Sequence, residues 1–224
     1  MHFGARVGAA LASSFLLTAC PSDQPPFGSG EGELGRGNLS IQCTPQDAAC
    51  ESDATELGAS TPLAVGASFF VRYDGQVPMS PTGGPAKMIL FSSSPGMLTK
   101  DEGDLFVSWV PGHVAVIART EQGTVTEFVH LRIIGVDHVQ LDRQSSGSLT
   151  VGGQDVWRAS PLSAEGTVLG GALGYVWEVE GSAVEIVAQD GREVTLAARE
   201  AGSAILRARA GEATGEVTLS VEGP

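Results

Sequence analysis

A chain of 224 residues, 42% apolar and carrying 30 Gly and 12 Pro, has room for one or two domains with real cores and is rich in turn formers. Thirteen Lys and Arg against 26 Asp and Glu leave a net charge of −13, a surface that repels phosphate backbones and argues against nucleic acid as a partner. Aromatics are sparse at 6% and no long stretch shows a clean 3.6-residue apolar period, which points to an all-β chain.

The first twenty residues, MHFGARVGAALASSFLLTAC, start with one basic residue, Arg6, and an apolar run from Val7 to Ala19. A helix of that length rises about 20 Å, short of the roughly 30 Å hydrocarbon core, so it does not span a bilayer. The basic start, short apolar centre and small residues at the end fit a secretory signal peptide over residues 1–19. Leu17, Thr18, Ala19 and Cys20 then resemble the lipobox of bacterial lipoproteins. The resemblance implies cleavage before Cys20, a diacylglyceryl thioether on its sulfur and a further acyl chain, such as palmitate, on the new amino group. Each buried CH₂ contributes about 0.8 kcal/mol and one chain binds only marginally, whereas two or three hold firmly. The expected partner is a lipid bilayer and the expected location the cell envelope. In enteric bacteria an Asp directly after this cysteine favours the inner membrane; Pro21 stands there instead, which favours the outer one. Residues 20–37, containing PSDQPPFGSGEGELGRG, bury too little to fold and are expected to form a disordered, flexible tether.

Cys43 and Cys50 remain as an even pair in an exported chain. Their segment, CTPQDAAC, is rich in loop residues. A disulfide is expected, worth roughly 2–3 kcal/mol in the chain-entropy model. A metal site is the alternative, and no CxxC or HxxxH spacing supports it; no cofactor is expected.

Beyond residue 37 the chain repeats itself. Leu63–Gly66 (LAVG) matches Leu149–Gly152 (LTVG), and Phe91 in MILFSSS matches Trp177 in YVWEVEG, both at an offset of 86. GHVAVIAR from Gly112 matches GSAILRAR from Gly202, offset by 90, and VHLRI ending at Ile133 matches VTLSV ending at Val221, offset by 88. Alternation predicts strands with one buried face. In the first copy these carry Phe69, Val71 and Tyr73; Leu105, Val107 and Trp109; Val114, Val116 and Ala118; and Val129, Leu131 and Ile133. In the second they carry Val194, Leu196 and Ala198; Ala204, Leu206 and Ala208; and Val217, Leu219 and Val221. Sheets with one apolar face cover each other as a β-sandwich.

This order resembles the bacterial Ig-like domains, group 2 above all: residues 139–222 with VQLDRQSSGSLTVGG, YVWEVEG, AAREAGSAILRARAG and GEVTLSV match well, residues 38–134 less well. In the first copy Phe91 stands at the family's Trp position, and the Cys43–Cys50 segment looks inserted. The resemblance implies two tandem Ig-like sandwiches, over residues 38–135 and 136–224, and the short connection between them is expected to set them end to end with limited play. The resemblance also implies a spacer, adhesion or glycan-contact module without catalytic residues; a monomer is expected. An unknown envelope protein or glycan is the further partner expected.

Candidate chemistry is thin. No Gly-x-Ser-x-Gly, HExxH or P-loop occurs, nor a GxGxxG in the strand-to-helix context that gives it meaning, and a non-enzyme is expected. His113 and His130 are outward-facing strand residues that a metal pair would need on neighbouring strands. Asp101, Glu102 and Asp104 in KDEGDLF offer carboxylates for Ca²⁺ but lack the EF-hand spacing; an acidic turn is the plainer reading. Trp109 and Trp177 are expected in the cores. Trp157 either joins the core or faces out to meet a glycan or the other domain. Trp157, Asp101 and Asp104 are therefore the candidate ligand contacts. The linking stretches GQVPMSPTGGPA (75–86) and SPLSAEGTVLGGALG (160–174) differ most between copies and are where binding would reside.

Overall fold

The computed structural model describes residues 33–50, 54–58, 60–81 and 83–223; the signal segment, Cys20 and most of the tether lie outside them. All sixteen elements found there are strands. The first eight are β1 (Gly37–Gln42), β2 (Leu63–Ala64), β3 (Ser68–Gly75), β4 (Met88–Ser92), β5 (Leu98–Lys100), β6 (Leu105–Ser108), β7 (Gly112–Thr120) and β8 (Val125–Ile134). They form two four-stranded sheets, β1-β3-β6-β5 and β2-β8-β7-β4. The next eight are β9 (His138–Arg143), β10 (Leu149–Thr150), β11 (Gln154–Leu162), β12 (Val176–Glu180), β13 (Val184–Asp190), β14 (Glu193–Ala198), β15 (Gly202–Ala210) and β16 (Ala213–Glu222). Their sheets, β9-β11-β14-β13 and β10-β16-β15-β12, repeat the same order. Each half is an Ig-like sandwich whose opening strand is split between its two sheets.

The repeat is exact where geometry demands it. The short strands β2 and β10 pair parallel with the last strand of their own half, Leu63 opposite Ile133 and Leu149 opposite Val221. Each is followed by a glycine at positive φ, Gly66 at 83° and Gly152 at 85°, a conformation that glycine adopts without steric cost. Each half has one core, and Val114, Val116, Ala118, Val129, Leu131 and Ile133 face inward in the first as Val194, Leu196, Ala204, Leu206 and Ala208 do in the second.

Strand β6 departs from expectation by one residue. Phe106 and Ser108 are the buried side chains, and Leu105, Val107 and Trp109 lie on the outer face. Phe106 wins because its ring stacks on Phe69, with centroids 6.2 Å apart. Ser108 fits inside because its hydroxyl donates to the carbonyls of Ala64 and Ala67, the latter at 3.1 Å. Trp109 is consequently 57% exposed rather than in the core, whereas Trp177 is 6% exposed.

The Trp177 counterpart also shifts by one. Trp177 pairs with Ala208, and Leu90, not Phe91, pairs with the matching Ala118. Phe91 turns the other way, with the Arg119 guanidinium 4.4 Å above its ring.

Part of the stretch expected to be free tether is bound. Glu33 donates its N–H to the Phe128 carbonyl at 3.0 Å, and the buried Glu127 carboxylate accepts the N–H of Leu34 at 2.6 Å and of Arg36 at 2.8 Å. At the matching position of the second half, opposite Ala208 as Glu127 is opposite Ala118, stands Gly215. A Cβ on Gly215 would meet the Val139 carbonyl oxygen at 1.8 Å, so the incoming chain there packs directly on β16. The two halves hold their incoming segment against the last strand by different means.

Candidate functional site

Outside the two cores, polar and apolar contacts converge at the joint between the sandwiches. Within the stretch 160–174, read from sequence as a linking loop, residues 160–162 finish β11 and residues 169–172 are seated on the first sandwich. Gly170 bridges Leu63 in parallel and Ala172 bridges Ser68 antiparallel, so residues 170–172 lie between β2 and β3, where the chain crosses from one sheet to the other. Ala64 donates its N–H to the Gly170 carbonyl at 2.9 Å and Gly170 to Pro62 at 2.8 Å. Ser68 and Ala172 exchange N–H donation at 2.9 and 2.8 Å. Leu169, fully buried, packs with Ala64 and Ala67 and against Ile134, Val136 and Leu173. Burial of such a side chain contributes about 1.5–3 kcal/mol.

The sequence around the wedge explains why it fits. Gly171 has φ 91°, and a Cβ there would stand 2.7 Å from the Ala67 Cβ. Gly170 is equally crowded, its virtual Cβ lying 2.5 Å from Leu57 Cδ2. Two consecutive glycines let backbone approach backbone.

A second arm of the joint is the Cys43–Cys50 loop, and the disulfide is formed. Asp47 is buried; its Oδ2 accepts the Gly171 N–H at 2.7 Å and its Oδ1 the Ala49 N–H at 2.9 Å. Gln46 accepts the Arg192 N–H at 3.1 Å and donates to Asp190 at 3.2 Å, and Arg192 Nε donates to the Pro45 carbonyl at 3.1 Å. Burial raises the Asp47 carboxyl above the usual carboxylate range, against the lowering effect of its N–H donors and of Arg192. Burial also lowers Arg192, and Arg158 adds repulsion. The neighbouring Tyr175 phenol is raised by burial.

The other candidates fall elsewhere. Trp157 is 7% exposed and belongs to the second core; its indole N–H donates to Asp155 at 3.3 Å, so an outward ligand-contact role is corrected to a packing one. Asp155 itself is buried and also accepts from Arg143 Nε at 2.6 Å and from the Ser145 hydroxyl, pinning the crossover from β9 to β10. Asp101 and Asp104 sit on the β5–β6 turn, where Asp104 pairs with Lys100 at 3.1 Å and Asp101 donates its N–H to the Leu105 carbonyl. His130 is opposite Ala115 and His113 opposite Arg132, so the two histidines are diagonal rather than paired. His130 Nδ1 lies 2.6 Å from the Glu33 carboxylate. Among the described residues no group of three or more His, Cys, Asp or Glu could hold a metal ion.

Two exposed aromatic residues, Trp109 just after β6 and Phe70 on β3, belong to the first sandwich. Trp109 is fixed there by its indole N–H, which donates to the Thr99 hydroxyl at 3.1 Å, and by its backbone N–H on the Met97 carbonyl at 2.8 Å. Phe70, 45% exposed, is opposite Leu105 on the adjacent strand.

No family model and no curated protein matches the chain. Solved structures similar to it include domains 4 and 5 of the S-layer protein SbsC, with 13% identity and a TM-score of 0.30 over 82% of this chain and 97% of that one. The Escherichia coli adhesin FdeC shares 13% identity at a TM-score of 0.34, over 89% of this chain and 65% of that one. The Yersinia pseudotuberculosis adhesin InvE shares 9% at 0.34, over 85% and 61%. The chain thus spans less than two thirds of either adhesin structure.

Proposed function

We propose that this chain is a lipid-anchored protein of the cell envelope, with a non-catalytic role as a spacer, adhesion or binding module built from two group 2-like bacterial Ig domains, 38–135 and 136–224. The observation that carries this reading is where the chain enters and leaves the first sandwich. Residues 33–36 are held beside Glu127 and Phe128 at the start of β8, and β8 ends at Ile134 beside the joint. At about 3.3 Å per residue those points are roughly 20 Å apart along one strand. An anchor at Cys20 would therefore hold the first sandwich proximal and present the second outward, the outer membrane being the favoured surface. Fractionation of cells expressing Cys20→Ala tests the anchor: the variant should leave the membrane pellet, and its retention there refutes the anchor. Crosslinking with mass spectrometry in the native cell would identify the partner.

A glycan-binding role has one observation in its favour, the exposed and hydrogen-bonded Trp109. An exposed aromatic ring held in place offers a stacking surface at low entropic cost. On a glycan array, binding by the whole protein that disappears in Trp109→Ala would support that role, and no binding by either would leave the spacer reading in place.

A further inference from the structure

The Cys43–Cys50 loop is an unusual place for a disulfide whose task is only to staple one domain. It closes seven residues apart in sequence, and the residues it encloses reach the other sandwich. Pro45, Gln46 and Asp47 make four hydrogen bonds to Gly171, Asp190 and Arg192 of the second sandwich. An eight-residue loop of this composition has many conformations when open, and the cross-link removes most of them. The bond is also within reach. Both half-cystines line an open cavity of about 330 Å³ together with Thr44, Asp47, Arg158 and Arg192, so a small thiol can approach without the fold opening. The guanidinium groups on that wall favour the thiolate that must leave, although Glu193 holds Arg158 Nε at 2.8 Å.

We propose that Cys43–Cys50 is a reducible lock on the joint, opened by thiol–disulfide exchange with a dithiol reductant. The reductant's thiolate attacks one sulfur, forms a mixed disulfide and expels the other cysteine as a thiolate, which takes up a proton. The reductant's second thiol then displaces the remaining cysteine, leaving two protein thiols and an oxidised reductant. The freed loop no longer holds Gln46 and Asp47 against the second sandwich. The wedge at 170–172 is then the remaining attachment, and the two sandwiches gain freedom to bend. This role does not depend on how the chain is anchored.

The test is hydrogen exchange by mass spectrometry on the whole chain, oxidised and after dithiothreitol treatment with alkylation under native conditions. Peptide mapping distinguishes Cys43 and Cys50 from Cys20. The expected result is labelling of both cysteines and at least tenfold faster exchange at residues 168–173 and 190–193, with β7, β8, β15 and β16 unchanged. The double variant Cys43→Ser/Cys50→Ser should reproduce the reduced pattern. Three outcomes overturn the proposal: cysteines that dithiothreitol cannot reach in the native protein, equal exchange at the joint in both states, or loss of protection throughout β1–β8, which would make the bond a staple of the first sandwich.

Discussion

Three buried carboxylates, Asp47, Glu127 and Asp155, each hold a crossing segment rather than a reacting group. Glu127→Ala removes the acceptor for the Leu34 and Arg36 N–H groups, a loss of about 1–3 kcal/mol. Trypsin should cut after Arg36 at least tenfold faster in the variant than in the wild type. Equal rates would mean that the carboxylate does not hold the segment. Asp47 makes a pH signature. Its carboxyl is raised in the folded state, so folding favours the protonated form. The associated stability is fully present below about pH 3.8, the ordinary value, and is lost as pH rises through the raised one. The melting temperature of the wild type should therefore fall relative to Asp47→Asn as pH rises above 3.8; a constant difference would refute the burial argument. Glu127 could be read ahead of the structure, because it falls on the inward phase of its strand with Val129 and Leu131; Asp155 shares its phase with Trp157, whose direction the sequence left open. Asp47 could not: it stands in a loop, and its burial comes from a surface contributed about 125 residues later in the chain.

Strand by strand, alternation succeeds where one face is apolar and fails where both are. In β7 and β8 the polar side chains of His113, Arg119, His130 and Arg132 share one phase and fix it as the outward one, although Ala115, Ile117 and Phe128 lie on it too. In β6 the run Leu105-Phe106-Val107-Ser108-Trp109 is apolar on either phase except for one serine. Phe106 and the backbone acceptors waiting for Ser108 decide it, and neither is visible in the local pattern. The same one-residue ambiguity moved the Trp177 counterpart from Phe91 to Leu90. The phase has a direct mutational signature. Trp177→Ala should cost about 3–5 kcal/mol, whereas Trp109→Ala should change stability by about 0.5 kcal/mol or less, as read from denaturant midpoints. Comparable losses would place Trp109 in a core. The wedge is as exacting. Gly171→Ala requires a residue with a side chain at φ 91° and a Cβ 2.7 Å from Ala67, and should loosen the joint while leaving the second core intact. Faster exchange at residues 62–68 and 168–173 alone would be its mark.

Taken whole, the molecule is a pair of sandwiches with the same strand order and an asymmetric dependence. The second core is complete within its own strands. A chain of residues 136–224 should thus melt cooperatively by itself, and an unfolded product would refute that independence. The first has Leu169 of the second seated on Ala64 and Ala67, and its Leu57 and Leu63 approach Gly170. The tandem sandwich architecture was legible because four matched segments recur in one order. The joint was not, because a segment that leaves its own half to complete another has no counterpart in the first copy against which to be read.

A wedge supplied from beyond the first sandwich also sets an order in time. A chain delivered from its N-terminus presents β1 to β8 first, and these strands must wait with the gap between β2 and β3 unfilled until residue 172 has arrived. Until then Ala64, Ala67 and the main-chain groups of Pro62, Ala64 and Ser68 stay open to whatever meets them. The last step in completing the first sandwich is therefore taken by the second, and every molecule whose joint has closed is one whose second sandwich has been made at least through its wedge.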